Sequence, residues 1–512
     1  MKSTRTRTGS ILAVVAAAAL ALTACAPSAG QPDSATTTLK LGLANAPQSF
    51  DPAQMGDAGN MLQYAQAVYD SLLYKAPDGT IEPWLASDWS YNEDNTELTL
   101  TLRDDVTFAN GEEFTPEVAV ANLEHFKAGG GPQGSMLAEL ESVAVAGDDS
   151  IVLKLSAPNP SLVSYLTTVA GLQVSPEGLA DPELATTPSG SGPYTYDAAS
   201  STSGSVYTFE KRDDYWNEAT VNFDKVEVRV FTDPAAIANA FASGQIDAAP
   251  ASVDTLSQFE NAGAKIDTVE GDWSGFMIFD RTGQLSEPLG ELKVRQALNY
   301  AIDRDQVLAT VVHGYGTVTT QIFSPEDPGY VAELDAAYNY DPARAKELLA
   351  EAGYPDGFDV TMIVFAQTPA DTLAVYAQQL AEVGIRVTWE TQDLNTFLVS
   401  MTTGKSPINT MQFGAKGGWE MINQLVAPTA PWNPLNDQVD ELTTLIESVR
   451  TATDEAAQTE AVRAVNTYIV ENAWFAPWFR VASPYATNPT KISVEMQYQQ
   501  TIPSLYNFSP AE

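Results

Sequence analysis

Apolar residues alternate with small or polar ones along Leu39-Lys40-Leu41-Gly42-Leu43, the period-two signature of a β-strand. The same alternation predicts strands over Glu97–Leu102, Ser150–Leu155, Val226–Phe231, Phe358–Val364 and Ile385–Glu390. Between them a second pattern recurs: a side-chain cap, proline at the first helical position, then an apolar stripe. Thr115-Pro116 opens such a stretch to Phe126, Asp233-Pro234 opens one stopped by Gly244, and Asp341-Pro342 opens one stopped by Gly353. The cap accepts an unpaired N–H, proline presets φ, and glycine tolerates the left-handed turn that ends a helix. Helices between strands, joined by short Pro/Gly turns, predict α/β layers. Gly/Ser-rich pieces at 128–135 and 189–205 predict loops, and 413–435, rich in Gly and Pro, predicts irregular structure. There is no fixed-period repeat.

The N-terminus breaks this rhythm. Lys2, Arg5 and Arg7 precede an apolar run from Ile11 to Leu22, followed by Leu22-Thr23-Ala24-Cys25. A basic start, an apolar run and a small-residue site form the pattern of a secretory signal peptide over 1–24. The run falls short of the roughly 20 residues that a spanning helix needs. Cys25 is the only cysteine, so the chain offers it no disulfide partner. Its setting resembles the lipobox of bacterial lipoproteins, in which the cysteine thiol is diacylated. That resemblance implies lipid attachment at Cys25 and a tether to the outer face of the cell membrane. Residues 25–38, small, polar and bearing Pro27 and Pro32, have the composition of a linker.

At 512 residues with 44% hydrophobic content, the chain is globular and too long for one core, so two or three domains are expected. Charge narrows the partners. Asp plus Glu number 66 against 26 Lys plus Arg, a net charge of −40. Such a field repels nucleic acid and anionic lipid, so neither is an expected partner.

Catalytic chemistry finds little support. The only histidines, His125 and His313, are far apart in sequence, and no HExxH, Cys-His pairing or GxSxG elbow is present. Two isolated histidines cannot form a zinc site without converging carboxylates. The piece GGGPQG (129–134) lacks the Lys-Ser/Thr of a phosphate loop. No metal and no cofactor is expected, and the chain is not expected to be an enzyme. Carboxylate pairs are frequent in so acidic a chain, and none is singled out as a hydrolytic dyad.

Several ordered motifs resemble the family 5 solute-binding proteins of bacterial ABC importers, the peptide and nickel binders. They are Tyr69-Asp70-Ser71-Leu72-Leu73, the stretch IEPWLASDWSYNEDNTELTLTLRDDVTFANGEEFTPEVAVANL (81–123), GSGPYTY (190–196), RDDYW (212–216), VRQALNYAIDRDQVL (294–308), YDPARAKELLAEAGYPDGF (340–358) and AEVGIRVTWET (381–391). The resemblance runs from about residue 39 to 485. It implies a periplasmic-binding-protein type II-like fold, two α/β lobes around a ligand cleft with an extra domain inserted in the first lobe. On that template lobe one takes 39–68, 181–268 and 484–512, the inserted domain 69–180, and lobe two 269–483. The implied function is capture of a peptide or other small polar solute and its delivery to an ABC permease by an extracytoplasmic, monomeric receptor. The alternatives are a secreted lipoprotein hydrolase and a sensor that binds solute without transport.

Aromatic residues are the leading ligand contacts, since they bury large area and line many clefts. Trp273 and Phe276 fall in GDWSGFMIFD, Trp419 falls in the stretch 413–435, and Phe50 completes the set. In peptide-binding members the stretch corresponding to MQFGAKGGWE (411–420) resembles Gly-Trp-x-x-Asp, whose aspartate takes the peptide's α-ammonium. On that pattern Phe413 stands at the tryptophan position and Lys416 at the aspartate position, with Trp419-Glu420 a second candidate. A lysine there repels an ammonium and attracts a carboxylate, phosphate or hydroxyl-rich ligand, which argues against ordinary dipeptides.

Overall fold

A computed structural model describes residues 37–56, 61–414, 416–452 and 454–511. Residues 1–24, expected to be a signal peptide, and Cys25 lie outside the described residues.

The strand that starts the fold is Thr38–Leu43. Leu39 and Leu41 on its buried face are fully covered, and the strand pairs in parallel with Lys225–Val230, Leu39 opposite Val226 and Leu41 opposite Val228. Each such side chain taken from water contributes about 1.5–3 kcal/mol. The strand belongs to a nine-stranded mixed sheet. Its order is Ile408–Phe413, Lys265–Ile278, Phe475–Thr487, Ala248–Pro250, Thr38–Leu43, Lys225–Val230, Val206–Lys211 and Tyr194–Tyr196, with Gly316–Val318 also paired to Phe475–Thr487. A separate four-stranded antiparallel sheet runs Ala86–Tyr91, Glu97–Leu102, Ser150–Leu155, Leu140–Val145. Phe358–Phe365 and Ile385–Gln392 form a parallel pair.

The cap-proline-glycine pattern reads out locally. Asp233 accepts from the Ala235 N–H at 2.8 Å and Asp341 from the Arg344 N–H at 2.9 Å, opening helices Pro234–Ala242 and Pro342–Glu351. Gly244 and Gly353 follow with φ of 72° and 94°. Thr115 differs: its Oγ1 donates to Glu117 at 2.9 Å rather than capping, and helix Pro116–Gly129 starts on proline geometry without a side-chain cap. Two expectations of irregularity are corrected. Tyr194–Tyr196, inside the stretch read as a loop, adds an edge strand by pairing Tyr196 with Phe209. Gly418–Leu425, inside 413–435, is a helix that buries Trp419, Met421, Ile422 and Leu425 on one side. It opens on Gly417-Gly418 with no side-chain cap, so the local sequence carries no start signal.

Hydrophobic packing divides the molecule into two lobes. Two buried clusters draw only on residues 39–259 and 485–508, and these form the first lobe. Two others draw only on 273–479 and form the second. The four-stranded sheet shares one continuous core with the first lobe, through Leu98, Leu100, Ile151 and Leu153. The long strands Lys265–Ile278 and Phe475–Thr487 run through both lobes side by side. Their pairing slips where they cross: Glu270 opposes Ala482, and Trp273 opposes Arg480, so three steps on one strand meet two on the other. This is a β-bulge, which loosens the ladder and bends the strand locally.

Candidate functional site: a charged cavity between the lobes

A cavity of about 280 Å³ opens beside this crossing. Its first wall comes from the first lobe: Lys75 at the end of the hairpin strand Leu73–Lys75, Gln133 and Met136, and Ser164, Tyr165 and Thr168. Its second wall is Gly414, Lys416 and Gly417, in the turn between strand Ile408–Phe413 and helix Gly418–Leu425, with Glu420 in the first turn of that helix. Asp272, on the bulged crossing strand, and the C-terminal segment 498–502 complete it.

The wall is polar and charged. Lys416 Nζ donates to Glu420 Oε1 at 2.8 Å, four residues on, and both groups are partly exposed. Asp272 Oδ2 accepts from Gln412 Nε2 at 3.1 Å. Lys75 Nζ stands 5.2 Å from the centre of the Tyr498 ring, a cation–π contact. Burial holds the Lys75 ammonium below its ordinary pKa, while the Glu420 and Asp327 carboxylates pull it back up. Behind the wall, burial pushes Asp327 up to about 6, against the pull of the Gly329 N–H, the Gln499 amide and the Lys75 charge. Gln499 adopts a left-handed φ of 53°, unusual for a non-glycine residue. The buried Gln500 Oε1 has no hydrogen-bond partner among the described residues.

The model of the bacterial extracellular solute-binding proteins, family 5, matches residues 80–434. The chain belongs to this family. Among family 5 relatives, the nickel-binding periplasmic protein of Escherichia coli K12 is 30% identical over 359 residues, covering 66% of either chain. The glutathione-binding protein GsiB of Salmonella paratyphi A is 26% identical, again over 66% of each. The matched stretch thus spans just under two thirds of these relatives' length. The solved structure of HbpA2 from Haemophilus parasuis superposes with a TM-score of 0.81 at 20% identity, covering 93% of this chain and all of that one. The type II-like fold, two lobes around a cleft, follows from this likeness and from the packing above.

In this family 5 protein the residues singled out from sequence separate into two groups. Lys416 lines the cavity, and Phe413 stands next to Gly414 on its wall, its ring edge-on to Trp432 with centroids 5.1 Å apart. Phe50, Trp273, Phe276 and Trp419 are instead buried in the cores, and none of the four is on this cavity's wall. Phe276 packs edge-on against Trp478 at 4.8 Å and Trp273 edge-on against Phe475 at 5.6 Å, while Phe50 packs at a tilt against Tyr196 at 5.5 Å. Trp419 carries the Arg450 guanidinium 5.3 Å from its ring centre. The reason is elementary: the largest apolar faces gain most from full burial, so aromatic character alone does not mark a cleft. The expected effect of Lys416 also changes, because Glu420 neutralises it in place.

Sequence reasoning missed Lys75, Asp272 and the segment 498–502. Lys75 and Gln499 are far apart along the chain, and only the return of the C-terminus to the first lobe brings them to one wall. The histidines have structural partners. His125 Nε2 lies 2.8 Å from Asp51, whose hydrogen bond raises the imidazole pKa, and His313 Nε2 lies 3.2 Å from Asp254. Among the described residues no group of three or more His, Cys, Asp or Glu side chains could hold a metal ion.

Proposed function

We propose that this protein captures a small polar solute in the cavity between its lobes and delivers it to an ABC import permease. The observation that carries this is the make-up of the cavity: both lobes supply its walls, and the two strands that join the lobes slip register beside it. A solute touching both walls interacts with the closed arrangement more strongly than with an open one, and so favours closure. The relatives support the solute class in outline, since one is described as nickel-binding and another as glutathione-binding. We assign 39–68, 181–268 and 484–512 to the first lobe, 69–180 to an inserted domain and 269–483 to the second lobe. The receptor acts as a monomer without turnover.

Native mass spectrometry of protein purified without refolding tests this directly. A released small molecule, unchanged in mass on re-binding, is the expected result. Rebinding should stabilise the fold by RT ln(1 + [L]/Kd), about 2.7 kcal/mol at a hundredfold excess over Kd. Release of a chemically altered compound would favour a hydrolase instead.

The reading includes placement. Cys25 is proposed as the lipid attachment site that tethers the chain to the outer face of the cell membrane. Cys25→Ser should move the protein from the membrane fraction to the soluble fraction; a processed variant that stays membrane-bound defeats the anchor.

A further inference from the structure

The C-terminal segment that walls the cavity is seated on the first lobe. Gln497 Nε2 donates to the carbonyls of Lys75 and Ala76, both at 3.0 Å, and the Tyr498 N–H donates to the Pro77 carbonyl at 2.7 Å. The Tyr498 ring lies on Gly79, where a Cβ would come within 2.8 Å of it, so the missing side chain makes room for the seat. From there the segment reaches across to the second lobe. The Tyr498 hydroxyl donates to the Glu326 carbonyl, and the Gln499 side chain bonds the buried Asp327 carboxyl. The turn it meets is itself fixed. Asp327 Oδ1 accepts from the Gly329 N–H at 2.6 Å, while Asn466 Nδ2 and Arg463 Nε donate to the Gly329 and Pro328 carbonyls, each at 2.9 Å. Charge acts across the same boundary, since the Lys75 ammonium beside the Tyr498 ring is drawn to the second-lobe carboxylates Glu420 and Asp327.

We propose that residues 497–499 are a latch that holds the two lobes closed, with Tyr498 and Gln499 as its hook and the Glu326-Asp327 turn as its catch. The latch goes beyond the solute reading and rests on it only in that the lobes move. Hook and catch are each held in place by their own lobe, so joining them orders only two side chains and most of the bond energy acts on closure. A closed arrangement secured in this way is populated before solute arrives, and unhooking is a step of its release. Gln499 keeps its left-handed φ of 53°, which a non-glycine residue holds where its surroundings fix it. Two further contacts cross between the lobes, Asn95 Nδ2 to the Ala452 carbonyl and the exposed pair His313–Asp254, each at 3.2 Å. Neither lines the cavity, whereas Tyr498 and Gln499 do.

The test reads lobe separation in solute-free protein. Spin labels on Asp148→Cys and Lys346→Cys, both exposed and in different lobes, report it by pulsed electron spin resonance in a dialysed Cys25→Ser chain. The parent chain should show a short and a long separation. Tyr498→Phe keeps the ring and loses only the hydroxyl, so the ratio of closed to open should fall about 2- to 12-fold, the range of one hydrogen bond. Gln499→Ala should shift it the same way. The urea midpoint should stay where it is, because neither lobe's core is touched; a lower midpoint with an unchanged ratio would make these residues merely structural and overturn the latch. So would a parent chain found only open, or two variants that both leave the ratio as it was. The solute-binding reading survives those results, because a solute that bridges both walls closes the lobes without a latch. It falls together with the latch if parent and variants share one separation that an extract of the growth medium does not change.

Discussion

Two carboxylates, Asp70 and Asp272, belong to regions that differ in every respect but chemistry. Asp70 is fully buried and ringed by protein donors: Trp84 Nε1 and Tyr215 OH reach Oδ1 at 2.8 Å, and Trp216 Nε1 reaches Oδ2 at 3.1 Å. The Trp84 and Trp216 rings pack edge-on with centroids 5.2 Å apart, so the anion sits inside an aromatic box. Asp272 stands on a cavity wall with one donor. A carboxylate whose lone pairs are taken by the protein locks distant parts of the chain together; one with lone pairs to spare can hold something else. Charge does not separate the two roles; burial and the count of partners do.

The comparison is broken most forcefully at Asp70. Asp70→Ala leaves three buried donors without an acceptor and should cost about 3–5 kcal/mol in urea unfolding. Solute affinity of the fraction that remains folded should be unchanged. A loss near zero would mean that the box is not a structural lock.

A smaller effect is expected at Asp327, behind the cavity wall. Its folded carboxyl, near pKa 6, is raised above the ordinary value of 3.8. The folded state therefore holds the proton more tightly than the unfolded chain does. The resulting stabilisation is present below about pH 4 and is lost as pH rises through 6, about 2–3 kcal/mol in all. Asp327→Asn should flatten this part of the melting-temperature profile between pH 4 and 7. A difference between variant and wild type that does not change with pH would contradict the assignment.

Lys416→Ala should do least. A partly exposed pair four residues apart contributes about 0–1 kcal/mol, so calorimetry should find affinity changed by less than about fivefold. A loss of a hundredfold would restore Lys416 as the direct reader of the solute's charge.

Much of the fold was legible because its signals are local. Alternation at Glu97–Leu102 and Ser150–Leu155 marks strands with the same bounds in the structure. Asp233 and Asp341 act as the caps their positions suggest. Helix Gly418–Leu425 was hidden because it begins on two glycines and lacks a cap. The site was far less legible. Lys416 was found through a motif, but its neutralising partner Glu420 could not be inferred without the fold that joins them. Trp273 and Phe276 carried the right residue type for a cleft and are core, since sequence reports how apolar a side chain is and not which face receives it. Lys75 and Gln500 meet only through the tertiary path of the C-terminus, which no periodicity records.

That path sets the order in which the molecule can be assembled. Both clusters of the second lobe use an unbroken stretch of chain, 273–479, whose two ends leave side by side on the paired strands. The first lobe is split: its core needs Tyr485, Ile492, Val494, Leu505 and Phe508 as well as residues from 39 onward. A chain emerging N-terminus first can therefore finish the second lobe while the first still lacks its last strands. The segment that closes the first core also supplies Tyr498, Gln499 and Gln500 to the cavity, so this wall is laid down last. A nascent or C-terminally clipped chain would then lack this part of the cavity wall.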